Sequence, residues 1–135
     1  MLLLDSEAIS AVAHGPAIRR ELVRGLIRRA RDQHEDISTV AAILAEVIRG
    51  RPQDAAVFSV LSRERVDARS VDAEVAIRAG QLLEMADAGS ELAVDAFLVA
   101  AADLAPSAVI ATVDVDDLRR LAGPCPTVEV ASINP

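Results

Sequence analysis

The stretch from Val109 to Leu121 limits the possible folds more than any other. Val109, Ile110, Ala111 and Thr112 form a short apolar, β-branched run, and Val113 leads into three aspartates within four positions, Asp114, Asp116 and Asp117. Such a run reads as a buried strand. Leu118, Leu121 and Ala122 then fit a short helix stopped by Gly123 and Pro124. Carboxylates therefore fall where a strand hands over to a helix, and in open α/β sheets ligands bind outside the carboxyl ends of strands. The chain opens with the same grammar: Leu2, Leu3 and Leu4, then Asp5. The two strand ends are expected to lie side by side and to hold a metal ion between them.

The remaining segments predict strands alternating with helices. Ser6 to Ala13 suits a helix closed by His14, Gly15 and Pro16. From Ala17 a long helix follows, with Ile18, Leu22, Leu26, Ile27 and Ala30 at helical spacing and Arg20, Arg24, Arg28 and Arg31 on another face. Asp36 to Ser38 reads as a very short strand. Thr39 is expected to cap a helix buried through Val40, Ile43, Leu44, Val47 and Ile48, with Gly50 and Pro52 closing it. A fourth helix, about Gln53 to Ser62, precedes a weak strand at Arg65 to Ala68. Ser70 is the expected cap of a helix carrying Val75, Ala79, Leu82, Leu83 and Ala86. After a loop at Gly89 and Ser90 comes a near-continuous apolar helix, Val94 to Ala105, broken only by Asp95 and Asp103. Val128 to Val130 makes a last strand. Alternation of this kind means a parallel sheet with helices on both faces, an α/β fold in one domain over residues 1–135.

Composition narrows the chemistry. With 52% apolar residues, two Phe and no Trp or Tyr, the core must be built from Ala, Val, Leu and Ile. The net charge is −7, and all 14 basic residues are Arg. A chain without Lys cannot supply the lysine of a P-loop or a Schiff-base nucleophile. Receiver domains and aspartyl-nucleophile phosphatases share acidic strand ends but usually also use a Lys. One cysteine, Cys125, rules out an intrachain disulfide or a cysteine metal framework and suits a reducing cytoplasm. The three opening leucines, cut off by Asp5, are too few for a signal peptide, and no apolar run approaches the roughly 20 residues of a membrane span.

Several motifs, taken in order, carry a family resemblance. Leu2-Leu3-Leu4-Asp5-Ser6 comes first, then Glu46 before Val47, Val94-Asp95-Ala96 opening an apolar helix, and Thr112-Val113-Asp114. Together they resemble a PIN domain, and more narrowly the VapC-type toxins of bacterial toxin–antitoxin pairs. Ala76, Gly80, Leu82 and Leu83 add to the likeness, as does Asp116-Asp117-Leu118-Arg119-Arg120-Leu121. The resemblance covers essentially the whole chain. It implies a three-layer PIN-like fold, a short parallel sheet flanked by helices, and a Mg²⁺- or Mn²⁺-dependent ribonuclease. Its acidic quartet falls on Asp5, Glu46, Asp95 and Asp114, and Asp116 falls where many members carry a further acid. It also implies a structured RNA substrate such as transfer or ribosomal RNA, a small VapB-like antitoxin gripped by the early helices near Ile18 to Ile48, and a homodimer.

Elementary electrostatics leads to the same expectation. Two carboxylates about 4 Å apart repel by roughly 4 kcal/mol at an effective dielectric near 20. Several in one cleft raise each other's pKa unless a cation neutralises them. Hard divalent ions prefer such oxygens, and an acidified water can then attack a phosphodiester in line. Asp5, Asp95 and Asp114 are the expected metal-holding residues, with Asp116 as a fourth candidate, and Glu46 would orient or deprotonate the attacking water.

Each acid also has a plainer reading. Asp5 and Asp114 suit helix N-caps, and Asp95 could merely complement a helix dipole. Glu46, in phase with Ala42 and Arg49, suits a solvated face. The arginine face of the long helix reads either as a solvated surface or as a grip on RNA phosphates. The competing functions are a non-catalytic metal- or partner-binding module and a metal-dependent phosphatase.

Overall fold

In a computed structural model that describes all residues 1–135, the chain forms a five-stranded, wholly parallel sheet in the order β3-β2-β1-β4-β5. The strands are β1 (Leu2–Leu4), β2 (Ile37–Val40), β3 (Asp67–Arg69), β4 (Ala108–Thr112) and β5 (Val128–Ser132). Between them run α1 (Ser6–His14), α2 (Ala17–Asp32), α3 (Ala41–Val47), α4 (Asp54–Arg63), α5 (Ala73–Met85), α6 (Ala93–Asp103) and α7 (Val115–Leu121). Connections from β1 to β2 to β3 step one way along the sheet, and those from β3 to β4 to β5 step the other way. Right-handed crossovers therefore put α1 to α4 on one face and α5 to α7 on the opposite face. The packing agrees: α1 lies against α2 and α4, and α6 lies against α5 and α7. The short α3 touches both α1 and α6. This is the three-layer α/β arrangement expected from the sequence.

The central strands are buried on both sides, so they read as unbroken apolar runs rather than alternating ones. Leu3, Leu4 and Ile110 are fully buried. From α6 come Ala96, Leu98, Val99, Ala100 and Ala102, all without exposed surface. Their small side chains let the helix lie close to the sheet in a core that contains no buried aromatic ring.

The helix starts depart from expectation in two places. Thr39 does not cap α3; it belongs to β2, and its hydroxyl donates to the carbonyl of Leu4 at 2.7 Å. The buried strand extends to Val40, because a threonine inside a sheet can satisfy its hydroxyl across to a neighbouring strand. Ser70 does not cap α5 either. Asp72 does, its carboxylate accepting from the N–H of Val75 at 3.0 Å. On α2 the buried stripe is Val23, Ile27 and Ala30, whereas Ile18 and Leu22 are exposed on the adjoining face.

Asp54 holds the chain between α3 and α4. Its carboxylate accepts from the backbone N–H groups of Arg49, Gly50 and Arg51 at 2.7 to 3.1 Å, and these three donors lower its pKa. His34 closes α2 at φ 57°, with Glu35 N–H returning to the Ala30 carbonyl at 2.8 Å, so this histidine serves as a helix terminator.

The Thr39 hydroxyl ties β2 to the last carbonyl of β1, one residue before Asp5. Thr39→Val keeps the shape and removes that bond. It should cost about 1 kcal/mol of stability, read as a lower urea midpoint at unchanged slope. An unchanged midpoint would show that the bond contributes nothing.

Candidate metal and nucleic-acid cleavage site

The direction of the crossovers reverses between β1 and β4. Such a switch point leaves a crevice outside the carboxyl ends of the two strands. Leu4 pairs with Ala111 in register, so Asp5 and the Thr112–Asp114 segment emerge side by side there.

Asp5 follows β1 directly. Its N–H donates to the Ala111 carbonyl at 3.3 Å, and its carboxylate accepts from the N–H of Ala8 at 2.7 Å, capping α1. It is only 5% exposed. Burial pushes its carboxyl up to about 6 from the ordinary 3.8. The Thr112 hydroxyl and the Ala8 N–H pull it down, while the charges of Glu7 and Asp95 push it up further. The capping role and a site role thus coincide in one residue.

Asp95 occupies the first turn of α6, behind the sheet, and is half-buried. Its carboxyl is likewise raised to about 6, chiefly by burial, then by the charges of Glu46, Asp117, Asp114 and Glu7. Glu46 lies on the last turn of α3 and is exposed. Asp114 is exposed and caps α7, accepting from the N–H of Asp116 at 3.3 Å. The Thr112 hydroxyl donates to the Asp114 carbonyl at 3.1 Å, which fixes the turn between β4 and α7.

The fold therefore brings Asp5, Glu46, Asp95 and Asp114 into electrostatic contact from four separate elements. On α7 the acid that acts on Asp95 is Asp117, which is half-buried. Asp116 is exposed and supplies its backbone N–H to the Asp114 cap.

Glu7 was missed by the sequence reading. It stands in the first turn of α1 and adds charge to both Asp5 and Asp95. Its signal was faint, because first-turn acids are common wherever a helix begins. Beside these acids lies a cleft of about 450 Å³, lined among others by Ser6, Glu7, Ser10, His14, Arg19 and Glu46. A larger cavity of about 510 Å³ lies at the opposite, amino end of the strands, between Leu26, Arg29, Glu35, Val109 and Glu129, and contains none of the expected site residues.

The donor set suits a divalent cation in its chemistry. The donors are all hard carboxylate oxygens, which Mg²⁺ and Mn²⁺ prefer. The side chains nonetheless stand apart: no three His, Cys, Asp or Glu side chains are gathered close enough to hold one ion. An ion held there would have to keep several of its waters, as Mg²⁺ commonly does.

No family model matches the sequence, and no curated protein matches it. Among solved structures, the chain superposes on one from the crystal structure of VapBC2 from Rickettsia felis bound to a DNA fragment from their promoter. The TM-score is 0.68, and the alignment covers 97% of each chain at 14% sequence identity. The fold is VapC-like. At that identity the likeness concerns the path of the backbone, which places a strand end or a helix turn under each acid but leaves the chemistry to be argued from the side chains. No helix of the chain is long and apolar enough to cross a membrane.

Asp5 and Asp95 bind protons more tightly in the folded state than an ordinary carboxyl does. Their contribution to stability is fully present below about pH 3.8 and is lost as pH rises through about 6. In chelator near neutral pH, Asp95→Asn should therefore melt above the parent. The gap should close as the pH falls toward about 4. Thermal melts across that range check this; a variant melting below the parent at neutral pH would contradict it.

Proposed function

We propose that the chain is a Mg²⁺- or Mn²⁺-dependent endoribonuclease acting as the toxin of a bacterial toxin–antitoxin pair, with structured RNA as its substrate. The observation that carries this reading is the pair of acids raised to about 6, Asp5 and Asp95, coupled to Glu46, Asp114, Asp117 and Glu7 at the switch point. Such an arrangement destabilises a chain unless a cation offsets it, and metal-assisted phosphodiester chemistry is a use that would explain it.

Asp5, Asp95 and Asp114 would hold the ion, directly or through water. When bound, the ion supplies charge neutralisation at the scissile phosphate and a more acidic water. Glu46, on the exposed end of α3, takes the proton from the attacking water. Asp117 and Glu7 add negative charge around it, and Asp116 is the outermost candidate. The Thr112 hydroxyl fixes the Asp114 turn.

The Rickettsia felis neighbour is VapBC2, and a small VapB-like antitoxin is part of this proposal. A shallow groove of about 210 Å³ between α2 and α4 is floored by Val12 and Ala13 and rimmed by Arg20, Arg24 and Arg63. Ile18 and Leu22 on α2 and Phe58 on α4 are exposed apolar residues on the same helices. These features suit an amphipathic segment of a partner better than open RNA contact by the arginine face, since Arg24 and Arg31 already pair with Glu21 and Glu64 at 3.4 and 3.1 Å. A homodimer in a cytoplasmic setting completes the proposal. The spread of the carboxylates favours one competing reading, a module that binds a partner and cleaves nothing.

The test compares wild type with variants on total RNA in Mg²⁺, Mn²⁺ or chelator. Wild type should cleave only with the ion. Glu46→Gln should be slower by about 10²- to 10⁴-fold, the usual contribution of a general base, and Asp5→Asn and Asp95→Asn should be inactive. Mg²⁺ should raise the melting temperature of the wild type by mass action on the folded state, and less so for Asp95→Asn. Variants that cleave as well as the parent would place the chemistry elsewhere; a wild type without any ion-dependent cleavage would favour the binding module.

A further inference from the structure

The acidic cleft has one basic wall. Arg19, in the first turn of α2 and half-buried, lines it along with Glu7, Glu46, His14 and the hydroxyl-bearing Ser6 and Ser10. Its partner differs from those of other arginines. Arg24, Arg31, Arg69 and Arg78 pair with carboxylates, and Arg120 donates to the carbonyls of Ala86 and Asp87 at the end of α5. Arg19 instead donates through Nη2 to the neutral amide oxygen of Asn134 at 3.0 Å. The charge of Arg19 is thus steadied without being neutralised, and most of its five donors stay available.

Asn134 is itself held at three points. Its Nδ2 donates to the carbonyl of Val113 at 2.8 Å, and its backbone N–H donates to the Ser132 hydroxyl at 3.1 Å. The preceding residue, Ile133, is fully buried, and its N–H donates to the Thr112 carbonyl at 2.8 Å. The amide can face only one way, since Nδ2 needs an acceptor and Oδ1 a donor. A short relay therefore runs from the Thr112–Asp114 turn, through Asn134, to a guanidinium lining the cleft.

We infer that Arg19 is a phosphate-holding residue of the cleft and that Asn134 positions it: the guanidinium grips a backbone phosphate of the substrate strand next to the one at the acids. The inference rests on the proposed nuclease reading. A strand entering a cleft lined by Glu7 and Glu46 meets repulsion at its phosphates. A planar fork of donors in the same cleft offsets that repulsion and sets the register of the strand. Arg19 does not touch the reacting atoms; its effect falls on substrate binding.

The experiment measures kcat and KM for bulk transfer RNA in Mg²⁺ with wild type, Arg19→Gln, Arg19→Lys and Asn134→Ala, at several salt concentrations. Arg19→Gln should raise KM by about tenfold or more, as expected for loss of a charge-assisted contact, with kcat within about threefold of the parent. Its log(1/KM) should fall less steeply with log salt, by about 0.7 to 0.9, as for one phosphate contact. Arg19→Lys should recover the salt slope but only part of the KM, and Asn134→Ala should raise KM with the slope retained. The Mg²⁺-induced rise in melting temperature should be the same in Arg19→Gln as in wild type, showing the acids intact. If wild type cleaves and Arg19→Gln matches it in KM and salt slope, this inference fails and the nuclease reading stands. If wild type cleaves neither transfer RNA nor total RNA with either metal, both fail together.

Discussion

Repulsion among carboxylates at the crevice outside β1 and β4 is the constraint to which the rest of the molecule answers. Asp5, Glu7, Glu46, Asp95, Asp114 and Asp117 come from four helices or their caps, and burial together with the neighbouring charges raises the carboxyls of Asp5 and Asp95. Burial compounds the problem for Asp5, which has water on almost none of its surface. The chain offsets part of the cost locally. The Ala8 N–H and the Thr112 hydroxyl favour the charged form of Asp5, and the first turn of α1 presents its dipole to the same carboxylate. What remains is a deficit of positive charge at one point on the surface, which the proposed divalent cation would fill.

The scaffold is suited to bearing that load. A parallel sheet whose crossovers part between β1 and β4 brings residues from the beginning and the end of the chain to one edge. Arg120 locks α7 to the end of α5 by donating to the carbonyls of Ala86 and Asp87 at 2.8 Å each. Arg78 bridges α5 to Asp103 at the end of α6, also at 2.8 Å, with the buried Cys125 thiol beside the pair and pushed up by burial. The arginines that look superfluous in sequence are thus largely structural: they pin the outer helices so that the acids they carry keep their places. Asp54 does the same for the turn after α3, three residues beyond Glu46 once the helix ends at Val47.

Much of this was legible from the residues. The apolar runs at Leu2–Leu4 and Val109–Thr112, each ending in an aspartate, identified the two strands and their neighbourhood, because a buried parallel strand leaves an unbroken apolar signature. Helix caps were less legible. Thr39 and Ser70 have the right chemistry for capping, but Thr39 finds its acceptor on Leu4, a partner 35 residues away in sequence, and Asp72 outcompetes Ser70 two residues later. The buried face of α2 was half misread, since Ile18 and Leu22 are apolar at helical spacing yet lie on a different face from Val23, Ile27 and Ala30 and are exposed. Within the site, Asp5 and Asp95 were visible as acids beside apolar runs, whereas Glu7 and Asp117 resembled ordinary first-turn acids. The Arg19–Asn134 relay left no local trace, because its two residues lie 115 positions apart.

The direct test of the central claim is a carboxyl-carbon NMR titration of Asp5 and Asp95, with and without Mg²⁺. Without the ion, both should titrate near 6. With saturating Mg²⁺, both should move well below the ordinary carboxylate value, since the ion stabilises the charged form. Two carboxyls titrating near 3.8 in both conditions would mean that the acids neither crowd one another nor share a cation, and the account would fail at its foundation.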